Sequence, residues 1–147
     1  RLLVLIDYTK PSTEKRFYIL DLLQKKLLLS TYVAHGRGSG DNYAVAFSNR
    51  PGSYQSSLGF FRTGDTYMGK NGYSLFLDGL EKGINDKARE RAIVVHGANY
   101  ADPAVLKGQQ RLGRSLGCPA LPPDISKQVI DTIKGGVLLY IYGLNKA

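Results

Sequence analysis

The chain contains one cysteine, Cys118, and two histidines, His35 and His96. A thiolate is a strong nucleophile, but a free thiol is mostly protonated near neutral pH and needs a neighbouring base. His96 ends the apolar run Ala92-Ile93-Val94-Val95 and precedes Gly97, so it sits where a buried strand stops. Cys118 comes 22 positions later, directly after Gly117, where the backbone is free to turn tightly and expose its N–H groups. The segment between them is rich in polar and loop-forming residues, enough for the chain to fold back. A strand-end His facing a loop Cys is how a thiolate–imidazolium pair is assembled. A structural His beside a buried Cys gives the same pattern, because a lone Cys commonly packs as a small apolar group. On residue types and spacing the two readings stand level.

Three glycine patterns suggest other chemistries, and each fails on physical grounds. Gly36-Arg37-Gly38-Ser39-Gly40 approaches a dinucleotide loop, but Asp41 stands where the last glycine is needed and no helix follows. A loop with positive φ is expected there instead. Gly64 to Lys70 has phosphate-loop spacing, yet Asn71 replaces the hydroxyl residue that would reach magnesium, and a strand follows instead of a helix. Gly113-Arg114-Ser115-Leu116-Gly117 matches a nucleophile elbow. In that architecture the acid and histidine follow the serine, whereas His35 and His96 both precede Ser115. The next residues, Cys-Pro-Ala-Leu-Pro-Pro, cannot start the required helix.

One cysteine excludes an internal disulfide and a zinc site built from several thiolates, and neither metal nor organic cofactor is expected. The formal charge of +8 and pI near 9.6 favour an anionic partner: nucleic acid, an acidic polymer or a membrane surface. The basic residues are scattered, the longest run being Lys25-Lys26, so a solvated basic face is the commoner explanation and nucleic acid is not expected. No apolar run is long enough to span a membrane. The opening RLLVLIDY reads as a strand and lacks the parts of a signal peptide; any export signal is expected upstream of Arg1.

Strand signals dominate the segments around these residues. Leu2–Tyr8, Arg16–Leu22 and Lys26–Ala34 are apolar and β-prone, the last two joined through a hairpin at Leu23–Lys25. Tyr43–Ser48, Gly59–Arg62, Tyr73–Leu77, Ala92–Val95 and Val137–Tyr142 are further strands, with Asn71-Gly72 as a tight turn. Asn85–Arg91 predicts a short helix capped by Asn85. Asp124–Lys134 predicts a better one, capped by Asp124, with Ile125, Val129, Ile130 and Ile133 on one face. The expectation is one mainly-β domain over residues 1–147, its mixed strands closing into a barrel or sandwich with a few short helices.

The segments VVHGANYA and GRSLGCPAL resemble the catalytic signature of the L,D-transpeptidases (YkuD-like fold), in which a His-Gly pair precedes Ser-x-Gly-Cys. The similarity extends through VAHGRGSG, FSNRPGSYQSSLGFF and YMGKNGYSLFLDGLE, and is greatest to a sub-branch with an S-x-G-C-x-A motif: Ser115, Gly117, Cys118 and Ala120. Better-known members have His between Ser and Gly, and Arg or Asn two places after Cys, where this chain has Leu116 and Ala120.

The resemblance implies a monomeric enzyme of the periplasm or cell envelope whose partners are peptidoglycan stem peptides, as donor and as acceptor. Cys118 would carry the acyl group, held as a thiolate by His96, with the Gly97 carbonyl orienting the imidazole. Backbone N–H groups of Leu116, Gly117 and Cys118 would receive the oxyanion. Arg114 would bind stem carboxylates unless it is a solvated loop residue, and Ser115 would position the donor unless it only bonds its own loop. Asn99, Tyr100 and Tyr54 would line the cleft, while His35 reads as structural. The product would be a cross-link from L-alanine at stem position one, or from a third-position residue, to a third-position diamino acid. Two alternatives remain: an L,D-carboxypeptidase using the same site, and a non-catalytic basic wall-binding module.

Overall fold

In the computed structural model, which describes residues 1–146, the apolar runs become eight strands of one mixed sheet. They are β1 (Leu2–Asp7), β2 (Phe17–Asp21), β3 (Lys26–Thr31), β4 (Gly59–Gly69), β5 (Gly72–Gly79), β6 (Val94–Gly97), β7 (Ala120–Leu121) and β8 (Leu138–Tyr142). Their spatial order is β3-β2-β1-β8-β4-β5-β6-β7. The β1–β8 and β6–β7 pairs are parallel, and the others are antiparallel. Just past β3, Ala34 bridges Ala120 of β7, so the two ends of the sheet meet in a nearly closed barrel. The expected mainly-β class and barrel are therefore observed.

Alternation explains which side faces in. Val4, Ile6, Phe17, Ile19, Phe61, Leu75, Leu77, Val95, Leu121, Leu139 and Ile141 fill one core; their neighbours along β1, β2 and β8 are more exposed, whereas Val94, His96 and Ala120 on β6 and β7 are buried as well. The one α-helix among the described residues, α1 (Pro123–Ile133), sends Val129, Ile130 and Ile133 into that core, with Ile125 packed at its margin. Pro123 occupies its first turn and Pro122 its N-cap position, so Asp124 lies inside the helix instead of capping it.

Three local expectations are corrected. Tyr43–Ser48 forms no strand: Val45 and Ala46 donate to the Ser39 carbonyl and Phe47 to the Asn145 side chain, so the segment has no partner strand. Asn85–Arg91 forms successive turns without becoming a helix. Asn85 does not cap it. Its side chain is fully buried, accepting from the Glu81 amide and donating to the Leu58 and Phe60 carbonyls, which ties the turns to the start of β4. The β4–β5 reversal is Lys70-Asn71, with Gly72 opposite Gly69 in the left-handed region (φ +82°).

Asn85 is thus a buried staple with three hydrogen bonds. Replacing it with Ala strands the Glu81 amide and the Leu58 carbonyl, while the Phe60 carbonyl keeps the Leu80 amide as donor, and should lower stability by about 2 kcal/mol. Urea unfolding checks this, as a lower midpoint at unchanged slope.

Candidate active site

His96 lies in β6 because the run Ile93-Val94-Val95 is buried between β5 and β7, with Ser74 opposite it on one side and Ala120 on the other. Its Nδ1 is 2.9 Å from the Gly97 carbonyl oxygen. A carbonyl only accepts, so Nδ1 carries the proton and Nε2 keeps its lone pair. Gly97 must lack a side chain, since a Cβ there would fall 2.4 Å from Ser126 Oγ on α1. Burial lowers the His96 pKa below the ordinary histidine value, with the Gly97 carbonyl opposing.

The thiol is held by β6 as well. Cys118 is 8% exposed; its Sγ donates to the Ala92 carbonyl and accepts from the Val94 amide, both at 3.4 Å. None of its hydrogen bonds among the described residues goes to His96. Because Ala120 is the β7 partner of His96, Cys118 stands two residues back along the chain that flanks the imidazole. Burial pushes the thiol up from its ordinary value, while the Val94 amide and the charges of Arg91 and Lys70 pull it down. Both shifts favour the neutral thiol and the neutral imidazole, and no hydrogen bond joins the two groups among the described residues, which argues against the expected standing thiolate.

The loop before Cys118 is fixed from within. Ser115 Oγ donates to the Cys118 carbonyl at 2.6 Å and accepts from the Gly117 amide at 3.1 Å. At 3% exposure Ser115 is a loop pin and does not face a donor peptide. Gly117 takes φ +126°, a conformation other residues rarely adopt, and its N–H is already bonded to Ser115. The expected trio of oxyanion donors reduces to the amides of Leu116 and Cys118, which make no hydrogen bond among the described residues. The Leu116 side chain is 52% exposed.

Arg114 is also committed. Its Nη1 contacts the Gly40 carbonyl at 3.4 Å and the Asp41 carboxylate at 3.2 Å, so Asp41 competes with a substrate carboxylate for this charge. Tyr54 is exposed with φ +56°, its ring under the Arg37 guanidinium at 4.5 Å; its carbonyl and the Gly117 backbone both press on Gly36. Asn99 and Tyr100 belong to a short 3-10 turn (Asn99–Ala101), Asn99 exposed and Tyr100 half-buried beside Ala34, Ala101 and Ala120. The Tyr100 phenol is pushed up to about 12 by burial, then by the nearby Cys118 and Tyr8. Tyr100 thus packs beside Ala120, two residues past Cys118, and Tyr54 lies against the loop that carries the thiol.

Sequence reasoning missed Arg91. It stands next to Ala92, the acceptor of the thiol proton, and binds the Ser48 and Gln55 carbonyls and the Ser53 and Ser57 hydroxyls at 2.7–3.2 Å. No carboxylate pairs with it among the described residues, so its charge is left to act on the thiol. In the sequence Arg91 is only the last residue of the short helix expected over Asn85–Arg91, and only the fold reveals that it turns inward. No group of three His, Cys, Asp or Glu among the described residues could hold a metal ion.

A family model for the L,D-transpeptidase catalytic domain matches residues 1–142, and the chain belongs to that family. Solved structures share its fold at low identity. An L,D-transpeptidase from Mycobacterium smegmatis is 13% identical, with 97% of this chain and 58% of that one covered and a TM-score of 0.57. The helical cell shape determining protein Pgp2 from Campylobacter jejuni is 15% identical over 99% and 48%, with a TM-score of 0.63. An L,D-transpeptidase from Stackebrandtia nassauensis is 14% identical over 99% and 57%, with a TM-score of 0.57. The chain thus spans about half to three-fifths of these proteins. No curated protein matches it.

His35 is structural in geometry. Its Nδ1 is 2.9 Å from Arg16 Nη2 and its Nε2 is 3.1 Å from the Gly40 carbonyl oxygen, which makes it neutral and protonated on Nε2. Burial, then the Arg16 charge, lower its pKa to about 4 from 6.5. On acidification the unfolded chain takes this proton first, so stability is full above pH 6.5 and falls between 6.5 and about 4. His96, also lowered, adds with the same sign. A melting temperature that falls over this window, with a shallower fall in His35→Gln, is the expected result; an identical slope in the variant would contradict it.

Proposed function

We propose that residues 1–147 form one catalytic domain that acts on peptidoglycan stem peptides in the periplasm or cell envelope, using Cys118 as nucleophile and His96 as its base. The observation that carries this reading is the His96 tautomer. With Nδ1–H held by the Gly97 carbonyl, the free lone pair of Nε2 is available to a thiol resting on the same strand.

In the proposed reaction, the Cys118 thiol leaves the Ala92 carbonyl as donor peptide enters and gives its proton to His96 Nε2. Sulfur attacks the carbonyl of the third-position diamino acid, and the developing oxyanion is received by the Leu116 and Cys118 amides. The C–N bond to the terminal D-alanine breaks as the imidazolium protonates its nitrogen. The resulting thioester passes to an acceptor amine, which loses a proton to His96 while sulfur is released and regains its hydrogen. Because both groups start neutral, the proton moves only when substrate is engaged. Arg91 and Lys70, whose charges reach the thiol, favour the anionic sulfur during that step.

Incubating the protein with muropeptides and separating the products by mass spectrometry tests the reading. Cross-linked dimers and free D-alanine are expected, and the linkage in the dimer identifies the acceptor. Cys118→Ala should abolish both. Loss of rate on the acid side should centre below pH 6.5, where the depressed His96 protonates. Trimmed monomers without dimers would assign the thioester to water, and no D-alanine release at all would refute the proposal.

A further inference from the structure

The chemistry at Cys118 leaves the β2–β3 hairpin unused. Residues 22–28, Leu-Leu-Gln-Lys-Lys-Leu-Leu, are exposed without interruption. Leu22 is 53% exposed, Leu23 72%, Leu27 52% and Leu28 45%. Single exposed leucines are ordinary; four on one hairpin tip mark a contact surface.

The tip is held in this shape. Asp21, buried at the end of β2, accepts hydrogen bonds from the Leu23 and Gln24 amides at 3.0 Å and pairs with Arg1 at 2.8 Å. The turn closes through Lys25 in the left-handed region (φ +55°). The one carboxylate at the tip is thus neutralised from within. Lys25 and Lys26 make no ion pair among the described residues, so the tip presents two free positive charges among four leucines.

The apolar surface continues onto the barrel wall. Strand registers place Leu27 beside Leu20, Leu20 beside Leu3 and Leu3 beside Leu138, with Arg62 next in the row. The residues that alternate with these, such as Val4, Ile19 and Leu139, are in the core, so this row faces outward. Helix α1 packs against β5 and β6, on another part of the barrel.

We infer that the β2–β3 hairpin tip docks the protein on an anionic lipid bilayer, its leucines entering the interface and Lys25 and Lys26 meeting the lipid phosphates. The mixture of apolar and basic groups is what such a surface recognises. A second copy fits less well: pairing two tips would bring four uncompensated lysines together in a chain already at +8. No helix among the described residues is long and apolar enough to cross a membrane. The tip lies at the opposite end of β3 from Ala34, which bridges β7 beside the cleft, about 30 Å of extended chain away. Docking therefore leaves Cys118 open.

Cosedimentation with phosphatidylcholine vesicles, with and without phosphatidylglycerol, tests the inference. Binding is expected only to the anionic vesicles and should weaken as salt rises. Leu23→Asp with Leu28→Asp should lower the affinity at least about tenfold. Lys25→Gln with Lys26→Gln should lower it about tenfold or more. The chain has no Trp, so Leu23→Trp provides a single reporter whose emission should shift to the blue on anionic vesicles. Equal binding to both vesicle types, binding indifferent to these substitutions, or an unmoved Trp spectrum would overturn the inference. A concentration-dependent dimer abolished by the Asp variants, without vesicle binding, would overturn it in favour of a second copy.

Discussion

Closure of the barrel rests on a strand of two residues. Ala120 pairs with His96 on one side and exchanges both backbone hydrogen bonds with Ala34 on the other, at 2.8 and 3.2 Å. One step further, the Ala98 amide donates to the Leu121 carbonyl. This ladder joins the two ends of the sheet and places the chain leading to Cys118 alongside β6. It also requires a small residue: Ala120 is fully buried against Ala34 and Ala101, with Ala98 and Tyr100 around them. The Ala of the S-x-G-C-x-A motif is thus explained by packing. An Arg or Asn in this cluster would overfill it.

The electrostatics around the thiol follow from the same closure. Burial raises the thiol and lowers the imidazole, so both favour the neutral state at rest. Opposing this are fixed donors and charges: the Val94 amide, the Arg91 guanidinium, which has no carboxylate partner among the described residues, and the Lys70 ammonium. The Ser115 hydroxyl fixes the turn by bonding both ends of the Ser-Leu-Gly-Cys loop, leaving the Leu116 and Cys118 amides free. A preorganised, mostly dry site of this kind makes each remaining donor count for more.

Much of this was legible in the sequence where a local pattern carried it. The apolar alternation of residues 2–8, 16–22 and 137–142 reads directly as strands, and the spacing of Val129, Ile130 and Ile133 reads as the inner face of a helix. Tyr43–Ser48 has strand composition but no neighbouring strand to complete a ladder, which composition does not encode. Asn85–Arg91 has helical composition, but the buried Asn85 amide spends its hydrogen bonds on β4. Strand β7, two residues between Pro119 and Pro122, is too short for any periodicity. At the site, Cys118, His96 and Gly97 were found through a motif. Whether Ser115 positions a donor or bonds its own loop, and whether Arg114 is open to a carboxylate, could not be read from the sequence because their partners, the Cys118 carbonyl and Asp41, depend on tertiary geometry. Arg91 was hidden for the same reason.

The central claim is that Cys118 carries an acyl group handed to it by a His96-assisted attack. Intact-mass spectrometry after mixing the protein with a stem tetrapeptide, without acceptor, tests it directly. An added mass equal to the donor less D-alanine is expected, located on the peptide containing Cys118 and missing in His96→Gln. An unmodified thiol under these conditions, or an adduct formed equally well without the imidazole, would contradict it.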